Sequence, residues 1–325
     1  MRKIGFVIGR IVLVVMALAI GGGFMFFINT GKDGAEVSDE GAFSEIIFPE
    51  YVAAIDANLP VEDNIKADNL KNENILNSYF TVKEKISDGR KSIILKAFSM
   101  TDDNMVSKDS CLDILMKVYR KGNEELDIYE NGIFEYRKDT SDKTDETVDK
   151  DLKIDNHECF RRAEDFLKTK HLLPEGFEPG NIADTIEEYA NSNEQNVVSK
   201  DVIFYRKLNG IDVEGCSKII VSLNSKGSIN HVYSSYREMD KEVKVHNKVS
   251  IEEAVRKMID RQGQVYINEE SDKITLDDIE VVYYEDASEV SDNITIQPIY
   301  RIKGKCLKDN KEIDKYIGLT HAMKN

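Results

Sequence analysis

The dipeptide Asn209-Gly210 constrains this chain more than any other two residues. It lies inside the stretch FYRKLNGIDVEGCSKIIVSLNSKGSINHVYSSY, residues 204–236. An Asn-Gly pair between apolar runs is the strongest short-range signal for a tight hairpin, because both central positions of that turn need positive φ. Ile219, Val221 and Leu223 then alternate with their neighbours, which puts one face of a strand inward. Asn224-Ser225-Lys226-Gly227 supplies a second turn. The stretch therefore predicts an antiparallel meander in which the glycines are turn positions and the alternating residues form a core face.

The same reading extends in both directions. Residues 78–86 (SYFTVKEKI), 92–100 (SIILKAFSM), 112–121 (LDILMKVYRK), 124–130 (EELDIYE) and 132–138 (GIFEYRK) are rich in β-branched and aromatic residues. Polar turns separate them, so they read as antiparallel strands. The strand 124–130, carrying Glu and Lys neighbours, reads as a protected sheet edge. Residues 139–151 (DTSDKTDETVDKD) contain almost nothing apolar and read as an acidic linker to 154. They lack the glycine and closing glutamate of a calcium loop.

Beyond the linker, Phe160, Ala163, Phe166 and Leu167 share one helical face, with Asp155 or Asn156 as the cap. Residues 184–191 fit either a helix or a strand, and the polar loop and VVSKDVIFYRKL that follow favour the strand. At 249–262, Ser250 and Glu253 form a capping-box pair, and Ala254, Val255 and Met258 face inward. Strands at 278–286, 294–305 and 314–322 close the chain. The order helix, strands, helix, strands predicts an α+β class with antiparallel sheets and a helix over one face of each.

Ile11–Ile28 is an uncharged run of eighteen residues. As a helix it spans roughly 27 Å, most of a hydrocarbon core. Arg2, Lys3 and Arg10 precede it, so the N-terminus (1–10) is placed in the cytoplasm and the bulk outside. Ala17-Leu18-Ala19 resembles a signal-peptidase site, but nine further mostly apolar residues follow it, which favours an uncleaved anchor. The expected layout is a transmembrane helix at 11–28, a stalk at 29–47, a strand-rich extracytoplasmic region at 48–138, the acidic linker at 139–154 and an α+β region at 155–325.

The net charge of −16 over 325 residues repels phosphate backbones and anionic headgroups, which argues against nucleic-acid binding. Cys111, Cys159, Cys216 and Cys306 lie far apart, and they read as separate thiols with two disulfides as the alternative. The five histidines have no metal-ligand spacing, and no metal or cofactor is implied. His157-Glu158 begins like a zinc helix, but Arg161 stands where the second histidine belongs. Neither a nucleophile elbow nor a phosphate loop is present, so no catalytic residue is assigned. Glu252/Glu253 and Asp277/Asp278 read as solvated caps. Gly5/Gly9 at the cytoplasmic edge, and Ala17/Gly21 and Ala19/Gly23 within the anchor, are small-x-x-x-small pairs that let helices pack closely in lipid.

The phrases RKLNGIDVEG, LNSKGSINHVYSSY, VSIEEAVRKM and ITIQPIYRIKGK together resemble the YycI/YycH-type extracytoplasmic regulators of Gram-positive bacteria, whose domains are similar to PepSY domains. The resemblance covers roughly 155–322, with Tyr300 in place of a tryptophan and Arg206-Lys207 in place of a glutamine. It implies a non-enzymatic, single-pass accessory protein that modulates a membrane sensor histidine kinase, with a homologous accessory protein as a further partner. The alternative it implies is an inhibitor or chaperone-like binder of a secreted peptidase.

Overall fold

The structure, a computed structural model, describes residues 59–66, 70–111, 114–139, 154–188, 195–244, 248–260, 263–267, 270–285 and 295–323. Sixteen strands and three α-helices are found among them. The expected α+β class is therefore corrected to a predominantly β fold. The helices are short, at most 14 residues, while four strands run to 12 residues or more. Among the described residues no helix is long and apolar enough to cross a membrane. The run 11–28, with Gly5, Gly9, Ala17, Ala19, Gly21 and Gly23, lies outside them.

In chain order the strands begin with β1 (Val61–Asp63) and β2 (Ser78–Val82). There follow β3 (Met105–Cys111), β4 (Ile114–Lys121), β5 (Glu124–Tyr129) and β6 (Phe134–Lys138). The second half has β7 (Phe177–Glu188), β8 (Gln195–Leu208), β9 (Ile211–Gly215), β10 (Lys218–Asn224), β11 (Ile229–Ser234) and β12 (Met239–Lys244). It closes with β13 (Gln264–Tyr266), β14 (Lys273–Glu285), β15 (Thr295–Lys308) and β16 (Lys311–His321). The helices are α1 (Asp88–Ala97), α2 (Asn156–Thr169) and α3 (Ile251–Ile259).

Two bodies of sheet result. The first runs β7-β8-β10-β11-β6-β5-β4-β3, antiparallel throughout. Its inner face carries Tyr119, Leu126, Phe134, Phe204, Val221 and Val232, and both α1 and α2 close the core over it. The second is centred on the long β14–β15 pair, with β16 and β13 beyond β15 and with β2 and β12 beside its start. β1 and β9 run parallel to β14 on its other side. Its core gathers Leu276, Ile279, Val281, Tyr283, Tyr300 and Ile302 under α3.

The hairpin at Asn209-Gly210 is where the chain changes sheets. Both residues have positive φ, 52° and 79°, and β8 pairs back onto β9 across the two-residue loop. β9 then leaves the first sheet and joins β14. The N-terminal stretch divides as well. β1, the 3-10 turn Glu73–Asn77 and β2 belong to the second core, whereas α1 and β3–β6 belong to the first. β5 lies between β4 and β6, so the expected edge at 124–130 is an interior strand.

Residues 92–100, expected as a strand, lie mostly in α1. Ser87 accepts a hydrogen bond from the Arg90 amide and caps the helix. Ile94, Leu95, Ala97 and Phe98 are buried while Ile93 is 43% exposed, which is helical and not alternating spacing. The two expected helices form at Asn156–Thr169 and Ile251–Ile259, with Asp155 and Ser250 as caps. Ala254, Val255 and Met258 are buried.

The two bodies meet at a buried ion pair. Arg206 Nη1 lies 3.1 Å from Glu285 Oε2, with the side chains 3% and 0% exposed. The same nitrogen reaches Ser217 Oγ and the Arg237 carbonyl, each at 3.4 Å. Two guanidinium groups approach the Tyr236 ring, Arg90 at 4.0 Å and Arg206 at 4.9 Å from its centre. Burial lowers Arg90 to about 10. Beside the pair, Gly215 has φ +93°, and a Cβ there would stand 2.1 Å from the Glu285 carbonyl oxygen. That close approach lets the Cys216 amide donate to the same carbonyl at 3.0 Å.

Removing one partner of such a pair strands the other charge in the interior. Arg206→Met is expected to lower the unfolding free energy by about 3–5 kcal/mol, and adding Glu285→Leu should return much of it. Urea denaturation of the two single variants and the double variant checks this. Strictly additive losses would show that the two groups are not coupled.

Candidate binding cleft

A cleft of 590 Å³ opens at one end of the first sheet. Five elements build it: the end of α1, the β4–β5 turn, the end of β6, the end of α2 and the start of β11. Its floor is aromatic. Phe98 stacks on Tyr136 at 4.1 Å with 14° between the planes and meets Phe166 at 6.4 Å. Its rim carries Lys121, Lys138 and Lys170 with one acid, Glu124.

The two helices reach the cleft in the same way. Each ends in a left-handed residue, Ser99 (φ 55°) or His171 (φ 56°), followed by a buried apolar residue, Met100 or Leu172. Met100 N–H donates to the Leu95 carbonyl and Leu172 N–H to the Leu167 carbonyl, both at a spacing of five residues. This closing motif satisfies the last carbonyls and turns the chain sharply away. The helix ends are thereby left beside one another over β6 and β11.

The electrostatics are partly settled within the cleft. Lys138 Nζ lies 2.8 Å from Glu124 Oε1. Burial, then the charge of Glu124 and a hydrogen bond to it, pushes the Tyr136 hydroxyl well above the usual tyrosine range. Glu124 is thus engaged twice. Lys121 Nζ donates to the Ser99 carbonyl at 2.9 Å, which uses one of its three N–H groups. Across the turn, the Asn123 side chain donates to the Asp139 carbonyl at 2.6 Å.

α2 is fixed from its other end. Asp155 accepts from the Glu158 amide, and Arg162 donates to the Gly227 carbonyl in the β10–β11 turn at 2.9 Å. The Glu158 carboxylate binds Arg161 and Arg162 at 2.7 Å. The resemblance of His157-Glu158 to a zinc helix is thus resolved as an ion-paired first turn. On the opposite face of the first sheet, Arg137 binds Glu125, Asp127 and Glu135, and His231 bridges Glu135 and Ser222. Those residues lie in register across β5, β6, β11 and β10, as a cross-strand lattice that ties the strands together.

The remaining singled-out residues are dispersed. Cys159 is buried in the first core and Cys306 in the second, as separate thiols, and burial raises the Cys159 thiol. Cys216 is half-buried at the junction. Glu252 and Glu253 sit in the first turn of α3, and Asp278 pairs with Lys71. Among the described residues no group of three His, Cys, Asp or Glu side chains is placed to hold a metal ion. None of the cleft residues stood out as a site in the sequence. Their signal is only the recurrence of Lys after strand and helix ends.

Fold and cleft together define a two-sheet β protein with a solvent-open, aromatic-floored cleft. No family model matches the sequence, and no curated protein matches it. Among solved structures, an uncharacterized protein from Eubacterium rectale is 12% identical, with a TM-score of 0.38 over 80% of this chain and 86% of that one. The Bacillus megaterium YpeB C-terminal domain is also 12% identical, with a TM-score of 0.33 over 75% of this chain and 100% of that one. At these values neither likeness assigns an activity.

Two outcomes test the construction. The hydrogen bonds from Arg161 and then Arg162 hold Glu158 at about 2, against an ordinary 4.5. Its support of α2 is therefore complete above pH 4.5 and lost as the pH falls toward 2. A carboxyl NMR titration should give a midpoint near 2, returning toward 4.5 in Arg161→Gln/Arg162→Gln. In urea, Phe98→Ala should cost about 3–5 kcal/mol as a buried aromatic truncation, whereas Lys170→Ala stays within about 0.5 kcal/mol.

Proposed function

We propose that the protein is a non-enzymatic binding or regulatory module that works at a membrane, outside the cytoplasm. The observation that carries this reading is the cleft: its lysine rim and stacked aromatic floor suit recognition of a partner segment. Location at the membrane rests on the uncharged run 11–28. The partner we propose is a membrane sensor histidine kinase, following the resemblance of residues 155–322 to YycI/YycH-type regulators. A fold by itself assigns no role, so partner identity is the decisive measurement.

A photoreactive residue in place of Asn123, on the cleft rim, tests the reading in intact cells with the full-length chain. The expected result is a crosslink to a membrane sensor kinase, lost when residues 11–28 are exchanged for an unrelated membrane segment. A secreted peptidase captured from position 123, and retained after that exchange, would replace the kinase reading with an inhibitor.

A further inference from the structure

The chemistry of the cleft narrows the class of partner it can take, on the reading that the cleft is the binding site. The chain carries −16 overall, yet three lysines converge on one concave surface with a single acid among them. Glu124 is already neutralised by Lys138 and bonded by Tyr136. That leaves Lys121, with two N–H groups beyond its bond to Ser99, and Lys170 at the end of α2. Both helix C-termini also bear on the cleft, and their partial negative charge would oppose an anion. The capping bonds at Ser99–Met100 and Lys170–Leu172, however, satisfy the carbonyls of Leu95, Lys96, Phe166, Leu167 and Lys168 in the last turns. The local balance is positive.

The floor is as specific as the rim. Phe98 is buried and stacked on Tyr136, so the half-buried Phe166, tilted at 41° against it, is the ring of the floor that a ligand ring can pack on. The remaining acidity of the protein acts at longer range and is screened beyond about 8 Å in physiological salt, so the cleft's own groups decide what binds. The cleft is open to solvent, whereas small-molecule pockets typically enclose most of their ligand. An extended chain can lie across it with one side chain on the floor and its neighbours at the rim.

We propose that this cleft takes a short acidic peptide segment in which an aromatic side chain is flanked by carboxylates. The ring packs on Phe166 at the edge of the Phe98–Tyr136 stack, and the carboxylates accept hydrogen bonds from Lys121 and Lys170. Such a segment complements the lysines by charge and the floor by shape. A neutral apolar peptide would leave the lysines unmatched.

The chain contains no tryptophan, so a peptide containing one reports its own binding. The probe is a pentapeptide with a central aspartate–tryptophan–aspartate, followed by fluorescence anisotropy on the full-length chain. Its partner probe has asparagine in place of each aspartate. The acidic peptide is expected to bind, with Lys121→Gln and Lys170→Gln each weakening it about threefold to fivefold and the pair at least about tenfold. Both lysines are at the surface, so unchanged urea denaturation confirms that the variants fold. Equal binding of the asparagine peptide would overturn the acidic class while leaving the cleft as a binding site. Indifference to the double lysine variant would overturn the placement. If neither peptide binds, the proposal fails, and capture from position 123 still decides the broader reading on its own.

Discussion

Arg206 and Glu285 form a buried ion pair where the two sheets meet, beside the hairpin that joins them and the bonds from Arg301 on β15 to Asp212 and Glu214 on β9. Taking both groups out of water is costly; Ser217, the Arg237 carbonyl and the Tyr236 ring offset part of it on the arginine side, while Glu285 Oε1 is buried with no hydrogen-bond partner among the described residues. The close approach at Gly215 brings the β9 end against β14. Each of these features would be inert or unfavourable alone. Together they fix the angle at which the hairpin delivers β9, and thereby the register in which Val213 to Gly215 run beside Tyr283 to Glu285.

What the sequence reveals of this arrangement is the local part. Asn209-Gly210 announces its turn because few residue pairs accept positive φ twice. Asp155 and Ser250 announce α2 and α3 because a short oxygen-bearing side chain before an amphipathic run has few other uses. α1 escapes because Ile93-Ile94-Leu95 is a continuous apolar triplet, from which a buried strand and a helix cannot be told apart by periodicity. β12 escapes for the opposite reason: Asp240, Lys241, Glu242 and Lys244 leave it almost no apolar pattern, and it becomes a strand through pairing with β2. That pairing joins Tyr79 to Val243, a relation between distant residues that no local rule encodes.

The cleft was illegible for the same reason. Phe98 closes a helix that reads as a strand, Phe166 sits on a helical face that reads simply as core, and the lysines look like ordinary surface charge in a chain rich in it. Only the fold sets the ends of α1, α2, β4 and β6 side by side. A binding surface assembled this way has no motif of its own. Its chemistry is carried by the relative placement of residues that are individually commonplace.

The division of the N-terminal strands has a consequence for how the chain acquires its structure as it is made. The first sheet is complete once residue 236 is available. β1 must wait for β14, and β2, although β12 can pair with it once residue 244 is made, must wait for β15 to join the second sheet. Until then β1 lacks a partner and β2 has only β12, while the body that follows them can already form. Closing such distant pairings last makes assembly slow and leaves strand edges open to the wrong partners. A chain emerging progressively into a crowded compartment would hold this vulnerability for most of its synthesis, and its final sixth would end it.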